Sequence, residues 1–440
     1  MRRSWKRRTN PDFRHRSQVP APEVEEIESR LYELISPSLL APRQMERRNP
    51  DDPDKPIRMR ARLLTLPVMM AVIIGLVFRR LPSLAEVQRV LESDGLLWVD
   101  PLKVSHQAIN RRLDTMPAEV VSQLFQEMCD RLGSEASSES EGIWDHLCFS
   151  SILAVDGSTL EELRKKNAVL RGTEECVLGG KIIVMVDLLG LRPVWADYTE
   201  ESKVNEKRFS EEILCQVPAG GLLVYDLGYF SFGFFDEFKG QGKYFVTRMR
   251  GKTAYKEVSV LSEGPFHRDR LIEVGIYRSS PCKYQLRLVE VLWGKDWYRY
   301  LTNVLDPELL SAKDVCELYR RRWKIEDAFK VTKRVLDLSY LWSGSTNSVQ
   351  LQIYATLIFY TVLIEVCQQV AELLRQPLDT ISVEMVFRGL YHYSRALLKG
   401  ETLALAPYLA GRRQSLGIVK RQRKRNKERQ KRTELIWANP

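Results

Sequence analysis

Apolar positions change their period three times along the chain. Val24–Ile35 is a short amphipathic stretch within an otherwise charged, proline-containing first fifty residues. Leu63–Phe78 and Ile353–Ile364 are longer apolar runs, yet both stop short of the roughly 18–20 residues that cross a bilayer, so they read as buried helices. Residues 57–132 carry helical spacing. Ser83 and Glu86 after Pro82 form a capping-box pattern ahead of Leu84, Val87, Val90 and Leu91. A second helix is expected from Ser105, with Ala108, Ile109 and Leu113 inward and His106, Gln107, Asn110, Arg111 and Arg112 outward. The pair suits a helix-turn-helix-like reader or an ordinary helical subdomain. Gly133–Gly142 (GSEASSESEG) reads as a polar linker.

Beyond the linker the pattern shortens to strands. Ile152–Val155, Lys181–Leu188, Pro193–Tyr198, Leu222–Tyr225 and Tyr244–Met249 are strand-like, with helices over Asn205–Cys215 and Ser231–Phe238. Alternation of β-branched and aromatic residues continues through Leu271–Tyr277, Tyr284–Leu292 and Trp297–Thr302. One long helix is expected over Ser311–Leu338, then helices near 348–374 and 380–398. The centre is thus a mixed α/β core interrupted by a β-rich insert at about 250–303.

Charge sharpens this picture. The formal net charge of +10 comes from 67 Lys/Arg against 57 Asp/Glu. Residues 1–16 hold seven of these basic residues against one Asp, and residues 412–432 hold eleven against one Glu. The remainder, 49 basic against 55 acidic residues, is mildly acidic. Two basic ends suit a polyanion, nucleic acid first. Seven scattered cysteines without a CxxC pair, and five scattered histidines, argue against structural zinc or a disulfide framework. An Arg-rich start with no apolar stretch behind it is no secretory signal. A cytoplasmic protein is expected.

Two aspartates share a setting: Asp156 and Asp226 each end an apolar strand before a glycine-containing turn. Such a position holds a carboxylate facing the crevice where α/β sheets bind ligands, though a turn aspartate satisfying its own backbone looks the same. Asp187 ends a strand as well, but it precedes Gly190 in an expected hairpin and reads as structural, as do Lys181 and Asp197. Tyr229 suits either a phosphate contact or packing over the strand end.

The sharpest segment is Tyr319–Lys333. At about 100° per residue, Tyr319, Arg322, Glu326 and Lys333 fall within an arc of roughly 60° over roughly 21 Å of helix. Ile325, Ala328, Phe329, Val335 and Leu336 occupy the neighbouring face. Three carboxylates supply hard oxygen ligands for a pair of divalent ions about 3.5–4 Å apart, the arrangement that serves phosphodiester chemistry. Arg322 and Lys333 would neutralise phosphates, and Tyr319 could hydrogen-bond one. A solvated charged helix face is the competing reading.

Asp156, Asp226 and Glu326, with Tyr-x2-Arg-x3-Glu-x6-Lys at 319–333, resemble the signature of the DDE cut-and-paste transposases of bacterial insertion sequences, within them the insertion-sequence-four family. Thr302-Asn303 and Arg322–Glu326 are similar as well, and the resemblance covers about residues 150–375. It implies an α/β, ribonuclease H-like catalytic core with a β-rich insertion before the glutamate helix, and helical N- and C-terminal regions. The expected layout is a basic arm (1–50), a helical DNA-binding region (51–132), the linker (133–142), the catalytic domain (143–375) and a C-terminal helical region with a basic tail (376–440). Asp156, Asp226 and Glu326 are then the catalytic, metal-holding residues for Mg²⁺, with Mn²⁺ as a substitute. Tyr319, Arg322 and Lys333 become DNA contacts, and Trp323 and Trp297 (or Trp293) candidates for stacking a flipped base. The implied partners are double-stranded DNA, as terminal inverted repeats and target, and a second copy in a homodimer. The implied reaction nicks the ends, forms and resolves a hairpin, and joins 3′-OH ends to target. A stand-alone nuclease of this fold and a non-catalytic DNA-binding regulator are the alternatives.

Overall fold

The apolar runs 152–155, 182–186, 222–224 and 245–246 are buried on both faces, and their strands lie side by side in one nine-stranded sheet. The computed structural model describes residues 24–35, 46–47, 57–58, 63–81, 83–136, 146–160, 180–336, 338 and 345–420. The basic residues 1–16 and most of the basic tail lie outside these residues, as does most of the polar linker.

The strands are β1 (Ile152–Thr159), β2 (Lys181–Asp187), β3 (Pro193–Thr199), β4 (Leu222–Val224), β5 (Tyr244–Arg248), β6 (Tyr255–Glu263), β7 (His267–Val274), β8 (Leu286–Trp293) and β9 (Asp296–Thr302). Their spatial order is β3-β2-β1-β4-β5-β9-β8-β7-β6. β2 runs antiparallel to both β1 and β3, whereas β4 lies parallel to both β1 and β5. The β-rich stretch is no separate layer: β9 pairs antiparallel with β5 and carries the same sheet outward to the exposed edge strand β6.

Period-two alternation divides two cores. Ile152, Ala154, Leu222 and Val224 point to one face and join the apolar helices. Leu153, Val155, Leu223 and Tyr225 point to the other, against α6 (Ser210–Gln216) and the phenylalanine-rich α7 (Phe232–Gly240). Ala154 pairs with Val224 across β1 and β4, so Asp156 and Asp226 follow at matched positions two residues on. Parity directs them to the helical face. Asp226 lies past the end of β4 as expected, but Asp156 does not end its strand: β1 continues to Thr159, and Asp156 is paired with Val184 of β2. Four further residues fit because Gly157, Ser158 and Thr159 keep pairing with β2.

The helical layer comprises α1 (Glu25–Ile35), α2 (Leu66–Phe78), α3 (Leu84–Ser93), α4 (His106–Thr115) and α5 (Ala118–Ala136) from the N-terminal part. From the C-terminal part come α8 (Ala312–Arg321), α9 (Trp323–Arg334), α10 (Thr346–Leu374), α11 (Val383–Leu397) and α12 (Leu405–Gly411). Serines open several of them: Ser83, Ser105, Ser311, Ser345 and Ser382 each accept from the backbone N–H three residues on. α10 is long and apolar enough to cross a membrane by length and composition, yet it is the hub of this layer, packed on α1, α2, α4, α5, α11 and α12. α2, the other apolar run, is buried along nearly its whole length.

Three sequence expectations change. The helix over 311–338 is two helices, α8 and α9, meeting at Arg322, where Ile325 N–H closes a tight turn on the Arg322 carbonyl. α5 runs through Gly133 to Ala136, into the stretch read as linker. Ala108 is exposed, leaving Ile109 and Leu113 as the buried residues of α4. α12 carries no signal beyond a short apolar run and is visible only once packed on α10.

One buried ion pair ties the insert to the helices. Arg287 on β8 is fully buried, bonding Asp269 on β7 through Nε (2.8 Å) and Nη2 (2.5 Å). Its Nη1 donates to the Leu310 carbonyl at 2.6 Å, immediately before the Ser311 cap of α8.

Candidate active site

The cleft lies where α9 crosses the ends of β1 and β4. It encloses about 530 Å³ and is lined by the carboxylates of Asp156, Asp226, Glu206 and Glu326 and by Arg322, Lys330 and Lys333. Asp156 accepts the neighbouring Gly157 N–H within β1 at 2.9 Å, and Asp226 accepts the Gly228 N–H of the turn after β4 at 2.7 Å, so each carboxylate is anchored by the backbone that follows it. α9 buries Ile325, Ala328 and Phe329, the face expected from the sequence, which leaves Glu326, Lys330 and Lys333 to the cleft.

Arg322 binds the carboxylates together. At the α8–α9 junction it is 5% exposed, with Nη1 2.8 Å from Asp156 Oδ2 and Nη2 3.6 Å from Glu326 Oε1. Lys333 Nζ reaches back to β1, bonding Ser158 Oγ at 2.6 Å and the Thr159 carbonyl at 2.5 Å. Burial pushes the Asp156 carboxyl up to about 6; Arg322 opposes the rise, while Asp226 and Glu206 add to it. Burial also raises Glu326 above the ordinary carboxylate range. For Arg322, burial opposes the charge, but Asp156, Tyr319, Asp226 and Glu326 together hold its pKa above the ordinary value.

A stability prediction follows from Asp156. Its folded-state pKa lies above its unfolded one, so between about pH 4 and 6 the folded chain binds more protons than the unfolded chain. Stability therefore falls as pH rises through this window, by about 3 kcal/mol for this group at 1.36 kcal/mol per pKa unit. Urea denaturation from pH 4 to 7 should show this loss in the wild type and its absence in Asp156→Asn. Parallel curves for the two proteins would count against it.

The donor set fits a hard divalent cation: carboxylate oxygens without histidine or cysteine, with Asp226 and Glu206 near enough to add to the rise that burial imposes on Asp156. Among the described residues, however, no three acidic, histidine or cysteine side chains are drawn close enough to hold a metal. The reason is visible in Arg322, whose guanidinium holds Asp156 and Glu326 in ion pairs.

Asp156, Asp226, Glu326, Arg322 and Lys333 thus meet at one cleft. Tyr319 does not line it; its ring is buried behind Arg322 against Tyr300. Trp323 is 58% exposed at the head of α9, with Arg322 over its ring. Trp297 is remote from the cleft lining, on β9 opposite Leu292, its ring covered by the Arg268 guanidinium at 4.4 Å. Trp293 packs against the helical-side core. Asp187 accepts the Leu189 and Gly190 N–H groups in the β2–β3 hairpin, the structural role expected of it. Two cleft residues escaped the sequence reading. Lys330 was legible, falling about 20° from Tyr319 on the same helical wheel. Glu206 carried no signal, because only the sheet brings it beside Asp156 and Asp226.

Residues 148–362 match a family described as "Transposase DDE domain". The chain is 23% identical over 339 residues to transposase InsG for insertion sequence element IS4 of Escherichia coli (strain K12), covering 70% of each protein. It is 20% identical over 308 residues to the transposase for insertion sequence element IS231F of Bacillus thuringiensis subsp. israelensis, spanning 58% of this chain and 64% of that one. Among solved structures it is similar to the piggyBac transposase synaptic complex with hairpin DNA, with a TM-score of 0.41 and 12% identity over 91% of this chain and 84% of the other.

Proposed function

We propose, from the match of residues 148–362 to the transposase DDE domain and the likeness to insertion-sequence transposases such as that of IS4, that the chain cuts DNA at transposon ends and joins the freed 3′-OH ends to target DNA. The observation that carries the proposal is the single cleft in which Asp156, Asp226 and Glu326 lie among Arg322, Lys330 and Lys333. The strand order, with three antiparallel strands followed by two parallel to the first, supports a ribonuclease H-like core.

In this reading Asp156, Asp226 and Glu326 hold Mg²⁺, for which Mn²⁺ substitutes. Held there, such ions would supply Lewis-acid chemistry for the scissile phosphate and the attacking oxygen. The chain's own part is to place the strand. Lys330 and Lys333 neutralise phosphates along α9, and Arg322 exchanges its carboxylate partners for a phosphate as DNA enters. Tyr319 supports Arg322 from behind, and exposed Trp323 is the better placed of the two tryptophans to stack on a base of a hairpin intermediate. Residues 143–375 would do the chemistry. The helical region 51–132, with α4 as a reader, and the basic ends 1–50 and 376–440 would hold the DNA, two copies acting on paired inverted repeats. The work would be done on DNA in the cytoplasm.

The test supplies linear DNA bearing the element's ends, a target plasmid and Mg²⁺. Joined products are expected, with a hairpin resolved on denaturing gels. Cleavage without joining would instead identify a nuclease, and binding alone a regulator. Lys333→Ala and Arg322→Ala should each weaken end binding and lower the slope of log affinity against log salt by about one. Filter binding across a salt series reads this directly, and unchanged slopes would remove both residues from the phosphate-contact set.

A further inference from the structure

Glu206 opens the short 3₁₀ turn Glu206–Phe209 after β3, held by Asn205 Oδ1 accepting the Lys207 N–H and by Phe209, buried in the core on the far side of the sheet. Its carboxylate turns into the cleft. There it lies so close to the backbone beside both aspartates that a Cβ on Gly157 would come within 2.8 Å of Oε1, and a Cβ on Gly228 within 2.2 Å of Oε2. Glycine at these two positions is what lets the third acid approach. Lys181 on β2 pairs with it, Nζ lying 2.9 Å from Glu206 Oε1 and 3.2 Å from the Val204 carbonyl.

A second observation points to a shared ligand. Tyr229 is fully buried, and among the described residues its hydroxyl has no hydrogen-bond partner. Burial, and then the charges of Glu206, Asp156 and Asp226, all hold this phenol protonated, which sets the hydroxyl in the field of the same three carboxylates. A buried hydroxyl donor of this kind is normally satisfied by water or a hydrated ion.

We infer that Glu206 is a fourth carboxylate of the metal centre, helping Asp156 and Asp226 to hold a divalent cation, with Tyr229 donating to its hydration shell. The inference rests on the reading of the cleft given under Proposed function. Its geometric content is specific. A charge-retaining change that moves the carboxylate should matter, whereas loss of the Lys181 ion pair alone should not.

Titration of the full-length protein with Mn²⁺ alone, followed by the electron paramagnetic resonance signal of the free ion, tests this without DNA or turnover. Glu206→Gln is expected to weaken Mn²⁺ binding by about 10–100-fold, the range for groups that tune a metal site. Lys181→Met removes a cation that competes with the metal for this carboxylate and should bind Mn²⁺ no more weakly than wild type. Gly157→Ala retains every charge and its added Cβ meets only the Glu206 side chain, so it displaces that carboxylate and should weaken binding by about tenfold, which covers the case in which Glu206→Gln does not fold. If Glu206→Gln or Gly157→Ala binds Mn²⁺ like wild type while Asp226→Asn does not, Glu206 is not part of the centre. If Lys181→Met loses as much as Glu206→Gln, the acid is only an ion-pair partner and the inference fails. If Asp226→Asn also binds like wild type, the reading of the cleft itself is wrong.

Discussion

Asp226→Asn is expected to lower DNA-end cleavage by about 10³-fold or more while leaving the fold intact. A metal-holding carboxylate contributes several kcal/mol of transition-state charge stabilisation, and each 1.36 kcal/mol is a factor of ten in rate. Asparagine keeps the side-chain oxygen that accepts the Gly228 N–H, so the turn after β4 should survive. Asp226 is also the cleanest of the three acids to test, since Arg322 is ion-paired to Asp156 and Glu326, and removing either leaves a buried guanidinium with one partner fewer. Single-turnover cleavage of an end-bearing duplex, with circular dichroism on the same protein, reads both halves. Cleavage within tenfold of wild type would exclude Asp226 from the chemistry.

Arg287→Met should cost about 3–5 kcal/mol, the usual penalty for breaking a buried pair by removing one partner. Asp269 is left charged and almost fully buried, and the Leu310 carbonyl loses its donor. Pairing the change with Asp269→Leu should recover most of the loss, since two apolar side chains leave no unpaired charge. Urea denaturation of the two single variants and the double variant measures the coupling, and additive losses would show that the pair does not act as a unit. End cleavage should fall in Arg287→Met as well. The Leu310 carbonyl sits immediately before the cap of α8, and α8 leads through Arg322 into the helix bearing Glu326.

The candidate site was legible wherever local spacing carries chemistry. Arg322, Glu326 and Lys333 could be found because they recur at helical intervals beside an apolar stripe, whereas Tyr319, on the same arc, lies behind Arg322 and outside the cleft lining. The serine caps were legible because a hydroxyl satisfies a backbone donor three residues away. Trp297 shows the limit of such reasoning: its sequence neighbourhood suits an aromatic platform, but the pairing of β7, β8 and β9 puts Arg268 over its ring. The break at Arg322 shows another, since nothing in the local sequence, neither proline nor glycine, marks it.

By itself the sequence determined the element types, the two aspartates, the signature helix face and a charge distribution with basic ends around an acidic body. These are properties of neighbours a few residues apart, set by backbone periodicity and local hydrogen bonding. Only the tertiary structure decided that Asp156 lies within a strand, that the β-rich stretch extends the main sheet, and that Arg322 spans two carboxylates. It also decided that Glu206 joins Asp156 and Asp226. Each depends on pairing register and on burial between residues distant in the chain, where the energy of a buried charge is fixed by what packs around it.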